Sequence, residues 1–171
     1  MNTANIRFRK AVSNDLDHIM MLIKRAIAHM QELEIYQWDE IYPARADFEA
    51  DFHKHTLYVG VVNEQIAAVF VLNETYDPEY MVAEWKYPDR PYIILHRLCV
   101  DPKFQHQGIG GQILQFVEKE TKKMKKDAVR LDVFKHNPYA IRLYENCGFH
   151  MIGMTEWRMG TFYLMEKYLE E

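Results

Sequence analysis

Apolar and polar residues alternate with period two at Ile6-Arg7-Phe8-Arg9, which predicts a short strand near the start of the chain. The period then lengthens. Leu16, Ile19, Met20, Ile23, Ile27 and Met30 recur at spacings of three and four, so they form one apolar stripe on a helix running to about residue 33. Ser13 is its expected N-cap, with Asp15 and Asp17 near the positive helix end. Between residues 34 and 45 the pattern breaks, and Pro43 prevents a continuous helix. The segment Ile35-Tyr36-Gln37-Trp38-Asp39-Glu40-Ile41-Tyr42-Pro43 is rich in aromatics for a loop. A short helix is expected over 46–55. Two β-branched runs, 57–62 and 66–73, flank Asn63-Glu64-Gln65 and read as a hairpin.

Residues 75–91, with prolines at 78, 88 and 91, read as a long irregular segment. A strong strand follows over 92–100 and stops at Pro102, and a glycine-containing turn leads into a helix over about 108–126. The remaining pattern predicts a strand over 129–134, a helix over 138–146, and closing strands over 149–158 and 161–169. The order β-α-α-β-β-β-α-β-α-β-β fits an α/β fold around a mixed sheet. No repeat, low-complexity stretch or linker interrupts it, so residues 1–171 are expected to form a single domain.

Composition removes several classes of function. With 49% apolar and 27% charged residues, the chain has the balance of a globular domain, which excludes disorder and collagen. Its longest apolar run, Ile66-Ala67-Ala68-Val69-Phe70-Val71-Leu72, falls far short of the roughly 18 residues of a membrane span, so no membrane partner is expected. Residues 1–10 carry no apolar signal segment, and the expected location is cytoplasmic. Cys99 and Cys147 are too few for a disulfide scaffold and lack metal-ligand spacing. They read as small buried apolar residues, and no metal is expected. The 21 basic against 25 acidic residues give a net charge of −4, which argues against a nucleic-acid partner.

Two segments carry chemistry. Leu98-Cys99-Val100-Asp101-Pro102-Lys103-Phe104-Gln105-His106-Gln107-Gly108-Ile109-Gly110-Gly111 is a buried strand, a stop, and glycines that open a helix. Glycine lets a backbone approach a ligand closely, and a first helical turn offers unpaired N–H groups and a positive dipole, an arrangement suited to phosphate or pyrophosphate. It is not a Walker A loop, since Gln112 follows Gly111, nor a dinucleotide fingerprint, since Ile113 stands where glycine or alanine is required. In the second segment, Asn137-Pro138-Tyr139-Ala140-Ile141-Arg142-Leu143-Tyr144-Glu145-Asn146-Cys147-Gly148-Phe149, Asn137 lies just past a strand, where its amide can reach a ligand. Tyr144 follows two helical turns later, and Gly148 ends the helix.

Together the two segments resemble the GNAT superfamily of acetyl-CoA-dependent N-acetyltransferases. Gln105, Gly108 and Gly110 match its acetyl-CoA motif, and Asn137, Ala140, Leu143, Tyr144, Gly148 and Phe149 match its Asn-x-x-Ala-x-x-Leu-Tyr-x-x-x-Gly-Phe pattern. The resemblance is specific over 92–149, and the element order extends it to the whole chain. It implies a single GNAT-like domain, a mixed sheet of about six to seven strands flanked by about four helices. It implies acetyl-CoA as co-substrate, with the Leu98-Cys99-Val100 backbone pairing with the pantetheine arm. The amides of Gln105, His106, Gln107, Gly108, Ile109, Gly110 and Gly111 would then hold the pyrophosphate, Asn137 would contact the cofactor arm, and Tyr144 would sit near the sulfur.

Amine acetylation needs a neutral amine, donors for the developing oxyanion, and a proton for the departing thiolate. Tyr144, with a reference pKa of about 10, stays protonated and is the expected general acid. The base is open between two residues. Many members of the family carry a glutamate four residues before the position of Leu98, where this chain has Ile94. His96, expected on the same strand face as Ile94 and Leu98, resembles the second of two strand histidines that act through water in the arylalkylamine N-acetyltransferases. Its reference pKa of about 6.5 suits a base. Glu84, in the preceding loop, competes with it. Cys99 is expected on the face opposite His96, away from any nucleophilic role.

In the family the acceptor is flanked by the segment after the first helix and the loop before the central strand, which points to Trp38, Glu40, Tyr42 and Trp85. Aromatics with nearby carboxylates bind amines through cation–π and charge contacts, and Asp39 beside Glu40 leans toward a cationic amine. The alternative is a hydrophobic cluster that pins a long loop. Lysines 122, 123, 125 and 126 read as a solvated helix end. The expected activity is transfer of acetyl to a primary amine of a small molecule, by direct attack in a ternary complex. The alternatives are a catalytically silent acetyl-CoA- or CoA-binding module and a peptide or protein-lysine acetyltransferase. The last predicts an open acidic groove between Trp38 and Trp85. Dimers are common among relatives, so a homodimer is a further expectation.

Overall fold

The computed structural model describes residues 3–170, so Met1, Asn2 and Glu171 of the expected 1–171 domain lie outside it. The first half contains β1 (Arg7–Lys10), α1 (Asp15–Glu32), α2 (Arg45–His53), β2 (Leu57–Val62) and β3 (Gln65–Asn73). A short helix α3 (Pro78–Met81) precedes β4 (Tyr92–Val100), and α4 (Ile109–Lys123) follows. The chain closes with β5 (Ala128–Phe134), α5 (Pro138–Asn146), β6 (His150–Trp157) and β7 (Gly160–Tyr168). The strands form one mixed sheet in the order β1-β2-β3-β4-β5-β7-β6. Within it β4 and β5 run parallel, and the other neighbours are antiparallel. This is the α/β architecture that the element order predicts. Among the described residues no helix is long and apolar enough to cross a membrane.

Period-two alternation in β3 sends Ala68, Phe70 and Leu72 to one face and Val69 and Val71 to the other. The first face packs against Ile109, Ile113, Leu114 and Val117 of α4 and Tyr144 of α5. The second packs against the α1 stripe and Phe48 of α2. Ile19, Leu22, Ile23 and Phe48 are almost wholly buried, each contributing about 1.5–3 kcal/mol of transfer free energy. A third, smaller core of Tyr80, Trp85, Ile94 and Leu164 covers the β5–β7 end of the sheet.

Two local expectations are corrected. Ser13 does not cap α1; Asn14 precedes the helix without a side-chain cap. The Asp15 carboxylate instead accepts from Val12 N at 2.8 Å and from Arg9 at 2.7 and 3.1 Å, which fixes the chain entry. The segment read as wholly irregular contains α3, whose Pro78 stands in the first turn, where a missing N–H leaves nothing unpaired.

The sheet opens in its middle. β4 pairs with β5 only from Tyr92↔Ala128 to Ile94↔Arg130, although β4 continues to Val100 and β5 to Phe134. Beyond that rung the two strands part, and their facing edges have no strand partner. On its other side β4 carries a β-bulge: Val71 pairs with His96 and Val69 with Cys99, so Phe70 alone opposes Arg97 and Leu98. Arg97 adopts φ 50°, the left-handed conformation that absorbs the extra residue. The bulge reverses the alternation. His96 shares a face with Ile94, as expected, but also with Cys99, while Leu98 and Val100 turn to the α4 side.

Candidate active site

At the C-terminal end of β4, Asp101 halts the strand and accepts from Lys103 N, and Arg25 of α1 grips its carboxylate at 2.6 and 3.2 Å. The chain then turns through Gly108, whose φ of +73° suits glycine, and enters α4. Gly110 packs closely on α5, where a Cβ would meet Leu143 Cδ2 at 2.8 Å. Gly111 is different, since a Cβ there would meet nothing within 4 Å. Among the described residues, no hydrogen-bond acceptor engages the backbone N–H of any residue from His106 to Gly111. The result is a row of free amides at a helix N-terminus beside open space, which fits a pyrophosphate. Gln105 Nε2 reaches back to Val100 O at 3.4 Å, so the side chain steadies the turn.

Tyr144 of α5 is buried against Phe149. Its hydroxyl bonds no described residue, yet no buried side-chain N or O among them lacks a partner, so the hydroxyl borders open space. Burial raises its pKa above the ordinary phenol value, with the charge of Asp132 adding to the effect, and the group stays protonated. Asn137 caps α5 by accepting from Ala140 N at 3.1 Å and donates to Gln37 Oε1 at 2.7 Å. The structure thus ties it to the loop between α1 and α2. Cys99 is buried, and desolvation pushes its thiol up to about 12, which leaves it un-ionised and inert at neutral pH.

His96 Nε2 lies 2.8 Å from Asn73 Oδ1 and 3.1 Å from Thr75 O, two acceptors that require the ring N–H on that nitrogen. Burial, helped by the Arg97 charge, lowers its pKa to about 4, so the ring is neutral and a weak base. Next to it Arg97 makes a fork to Asp51 of α2 at 2.6 and 3.0 Å and donates to Tyr42 Oη at 2.9 Å.

The predicted acceptor residues separate. Trp38 packs into the α1–α2 core, and Trp85 is buried in the third core, donating from Nε1 to Tyr80 O at 2.7 Å. Trp85 also stacks under Arg130, whose guanidinium lies 4.4 Å from the ring centre. Tyr42 stays on the surface beside Arg97, and Glu40 and Glu84 are exposed. The Asp39 charge is engaged: Arg158 donates to it twice, at 2.8 and 3.0 Å, and the N–H groups of Ile41 and Tyr42 also donate. Arg158 therefore holds its carboxyl well below the usual range. This contact and the Gln37–Asn137 bond strap the α1–α2 loop across the open end of the sheet. The lysines lie elsewhere, with Lys122 on Glu170 O and Lys123 on Glu120.

Sequence reasoning missed Asp132. It stands on β5, two residues past the last β4–β5 rung, and its Oδ2 accepts from Tyr80 Oη of α3 at 2.6 Å. Burial pushes its carboxyl up to about 6; Tyr80 and Arg97 oppose the rise and Asp77 adds to it. The only sequence signal is an acid between Leu131 and Val133 in a strand whose one other charged residue is Arg130. Among the described residues, no group of His, Cys, Asp and Glu is placed to hold a metal ion.

The cradle, the parted strands and the Asn137–Tyr144 helix can be set beside known proteins. The profile of the acetyltransferase (GNAT) family matches residues 21–149. An uncharacterized N-acetyltransferase, YesJ of Bacillus subtilis, is 26% identical over 168 residues, spanning 92% of this chain and 87% of its own length. A GNAT-family acetyltransferase from Streptococcus agalactiae superposes over all of both chains with a TM-score of 0.85 at 21% identity. The PaiA N-acetyltransferase of Thermoplasma acidophilum, solved with coenzyme A, covers 96% of this chain and 99% of its own at a TM-score of 0.72 and 17% identity. Those two structures share the fold, and the profile spans most of the chain, including both motifs. The chain therefore belongs to the GNAT family and is an acetyl-CoA-dependent acetyltransferase.

Proposed function

We propose that the chain transfers acetyl from acetyl-CoA to a primary amine of a small molecule, by direct attack within a ternary complex. One observation carries the choice of a small acceptor: the α1–α2 loop is strapped to the β6–β7 turn by Asp39–Arg158 and to α5 by Gln37–Asn137. A protein acceptor would need the open acidic groove between Trp38 and Trp85, but both side chains are 9% exposed. The acidic charge at Asp39 is already engaged by Arg158.

The placement of the residues supports a role for each. Amides 106–111 bind the pyrophosphate, and the unpaired edge of β4 around Leu98, Cys99 and Val100 receives the pantetheine arm and supplies N–H donors to the oxyanion. Tyr144, protonated and bordering open space, donates its proton to the departing thiolate. Tyr42, at the rim, contacts the acceptor. The reaction belongs in the cytosol, a reading supported by two free cysteines, because reducing compartments keep thiols unpaired.

The test is amine-dependent thiol release from acetyl-CoA across phenethylamine, cadaverine, free amino acids and lysine-containing peptides. Turnover with small amines is expected, and Tyr144→Phe should lower kcat by about a hundredfold while acetyl-CoA still binds. Turnover on peptides alone would overturn the small-acceptor reading.

A further inference from the structure

We infer that Asp132 is the catalytic carboxylate that takes the proton of the acceptor ammonium, on a wall of aromatic rings that selects a cationic primary amine. This rests on the N-acetyltransferase reading proposed above and names the residue that deprotonates its acceptor.

The first observation is a missing partner. The buried carboxylates of the described residues each meet an arginine: Asp15 meets Arg9, Asp51 meets Arg97, Asp101 meets Arg25, and Glu166 meets Arg130. Asp132 meets none. Its one side-chain donor among these residues is the neutral Tyr80 hydroxyl. A carboxylate removed from water without a cation favours a cationic ligand or a proton.

The second observation is position. Asp132 lies on β5 beyond Ile94↔Arg130, where β4 and β5 have parted, and it keeps partial exposure. Its rung partner on β7 is the apolar Leu164. On the same face, Phe134, Phe162 and Trp157 make a continuous aromatic run, with ring centres 5.3 and 5.2 Å apart, and Tyr80 stacks on Trp157 at 6.5 Å. Ring faces beside a lone carboxylate are the surroundings that bind an ammonium group.

The charged and titratable groups facing Asp132 are few. Arg130, earlier on the same face of β5, is committed to Glu166 and to Tyr87 O. Arg97 on β4 is committed to Asp51 and Tyr42. From α3 and its lead-in come Tyr80 and Asp77, from the α1–α2 loop Tyr42, and from α5 Tyr144, whose proton the Asp132 charge helps to retain. The other two candidates fit less well. His96 keeps a lone pair on Nδ1, but burial lowers the ring to about 4 and makes it the weaker base, and Glu84 is exposed to solvent.

The chemistry balances. The ammonium loses one proton to Asp132, which passes it to solvent. The freed lone pair forms the N–C bond to the acetyl carbon, and the C–S bond breaks with its electron pair on sulfur. Tyr144 protonates that thiolate and recovers a proton, through solvent, from the second N–H that the nitrogen gives up. The net products are an amide, a thiol and one proton.

The experiment is the pH profile of kcat/KM with phenethylamine for the wild type, Asp132→Asn, Asp132→Glu and Tyr80→Phe, with acetyl-CoA binding measured for each. The wild type should lose activity below about pH 6. Asp132→Asn should bind acetyl-CoA normally, fall by about a hundredfold or more and lose the acid limb, and Asp132→Glu should recover part of the rate. Tyr80→Phe removes a donor to the charged carboxylate, so its acid limb should move to higher pH. That shift decides the matter even where Asp132→Asn fails to fold, because a merely structural Asp132 would leave the limb in place. An Asp132→Asn enzyme that keeps both the rate and the acid limb overturns the inference. A wild type that releases no thiol with any amine overturns the acceptor reading itself.

Discussion

Arg130 and Asp132 stand on the same face of β5, one on each side of the place where β4 leaves it, and their surroundings differ completely. Arg130 lies in the closed end of the sheet. Its guanidinium bonds Glu166 at 3.0 Å and Tyr87 O at 3.0 Å, and it is sandwiched between the rings of Trp85 and Tyr92 at 4.4 and 4.0 Å. Glu166 in turn accepts from the N–H groups of Lys86 and Tyr87. Asp132, in the open end, has a phenol and no cation. In the closed end the charges of Arg130 and Glu166 match each other and serve stability. Where it is parted, a charge is left unmatched, which makes it available to a substrate.

The comparison breaks most visibly at Arg130. Arg130→Met strands Glu166 as an uncompensated buried charge, and a loss of about 3–5 kcal/mol is expected from urea unfolding at pH 7. Asp132→Asn strands nothing, because the amide oxygen still accepts from Tyr80, so its unfolding midpoint at pH 7 should not fall. Equal losses from the two variants would remove the distinction between the two ends.

The glycines of the α4 turn sharpen the same contrast. Gly110→Ala forces a Cβ against Leu143 and should lower stability by about 1–3 kcal/mol, as overpacking does. Gly111→Val projects into open space, so it should unfold near the wild-type midpoint while acetyl-CoA affinity, read by calorimetry, falls at least about tenfold. Unchanged affinity would place the pyrophosphate elsewhere.

A pair of opposed pH dependences tests the comparison once more. Asp132 titrates at about 6 in the fold, against about 3.9 when unfolded, so the native state holds a proton that the unfolded chain has lost. Its contribution to stability is present at low pH and is lost as pH rises from about 4 to about 6. His96 has the reverse sign: its folded value of about 4 lies below the unfolded value of about 6.5, so its contribution is lost as pH falls through that interval. Relative to wild type, Asp132→Asn should gain stability as pH rises across this window, and His96→Gln should gain it as pH falls. Urea midpoints at half-unit pH steps give both difference curves, and parallel curves would contradict the assignment.

Features carried by local spacing were legible in the sequence. The α1 stripe, the strand alternation, the glycine turn before α4 and the Asn137–Tyr144 spacing all lie within a few turns of chain, and they carried the element order. Features that depend on distant partners were not. The bulge at Arg97 exists only against the register of β3, so strict alternation placed Leu98 and Cys99 on the wrong faces. Helix α3 is too short for a helical period, yet it carries Tyr80. Trp85 and Asp39 looked like acceptor contacts until Tyr80 O and Arg158 were seen to engage them. Asp132 reads as one of two polar residues in a strand, and only the end of the β4–β5 pairing sets it apart from Arg130.

Titration of the Asp132 side-chain carboxyl by carbon-13 NMR, in the wild type and in Tyr80→Phe, tests the central claim most directly. A midpoint near 6 that moves upward when the Tyr80 donor is removed is the predicted result. A midpoint near the ordinary carboxylate value of about 3.9, unmoved by Tyr80→Phe, would mean that Asp132 is as well compensated as the arginine-bound acids, and would contradict the account.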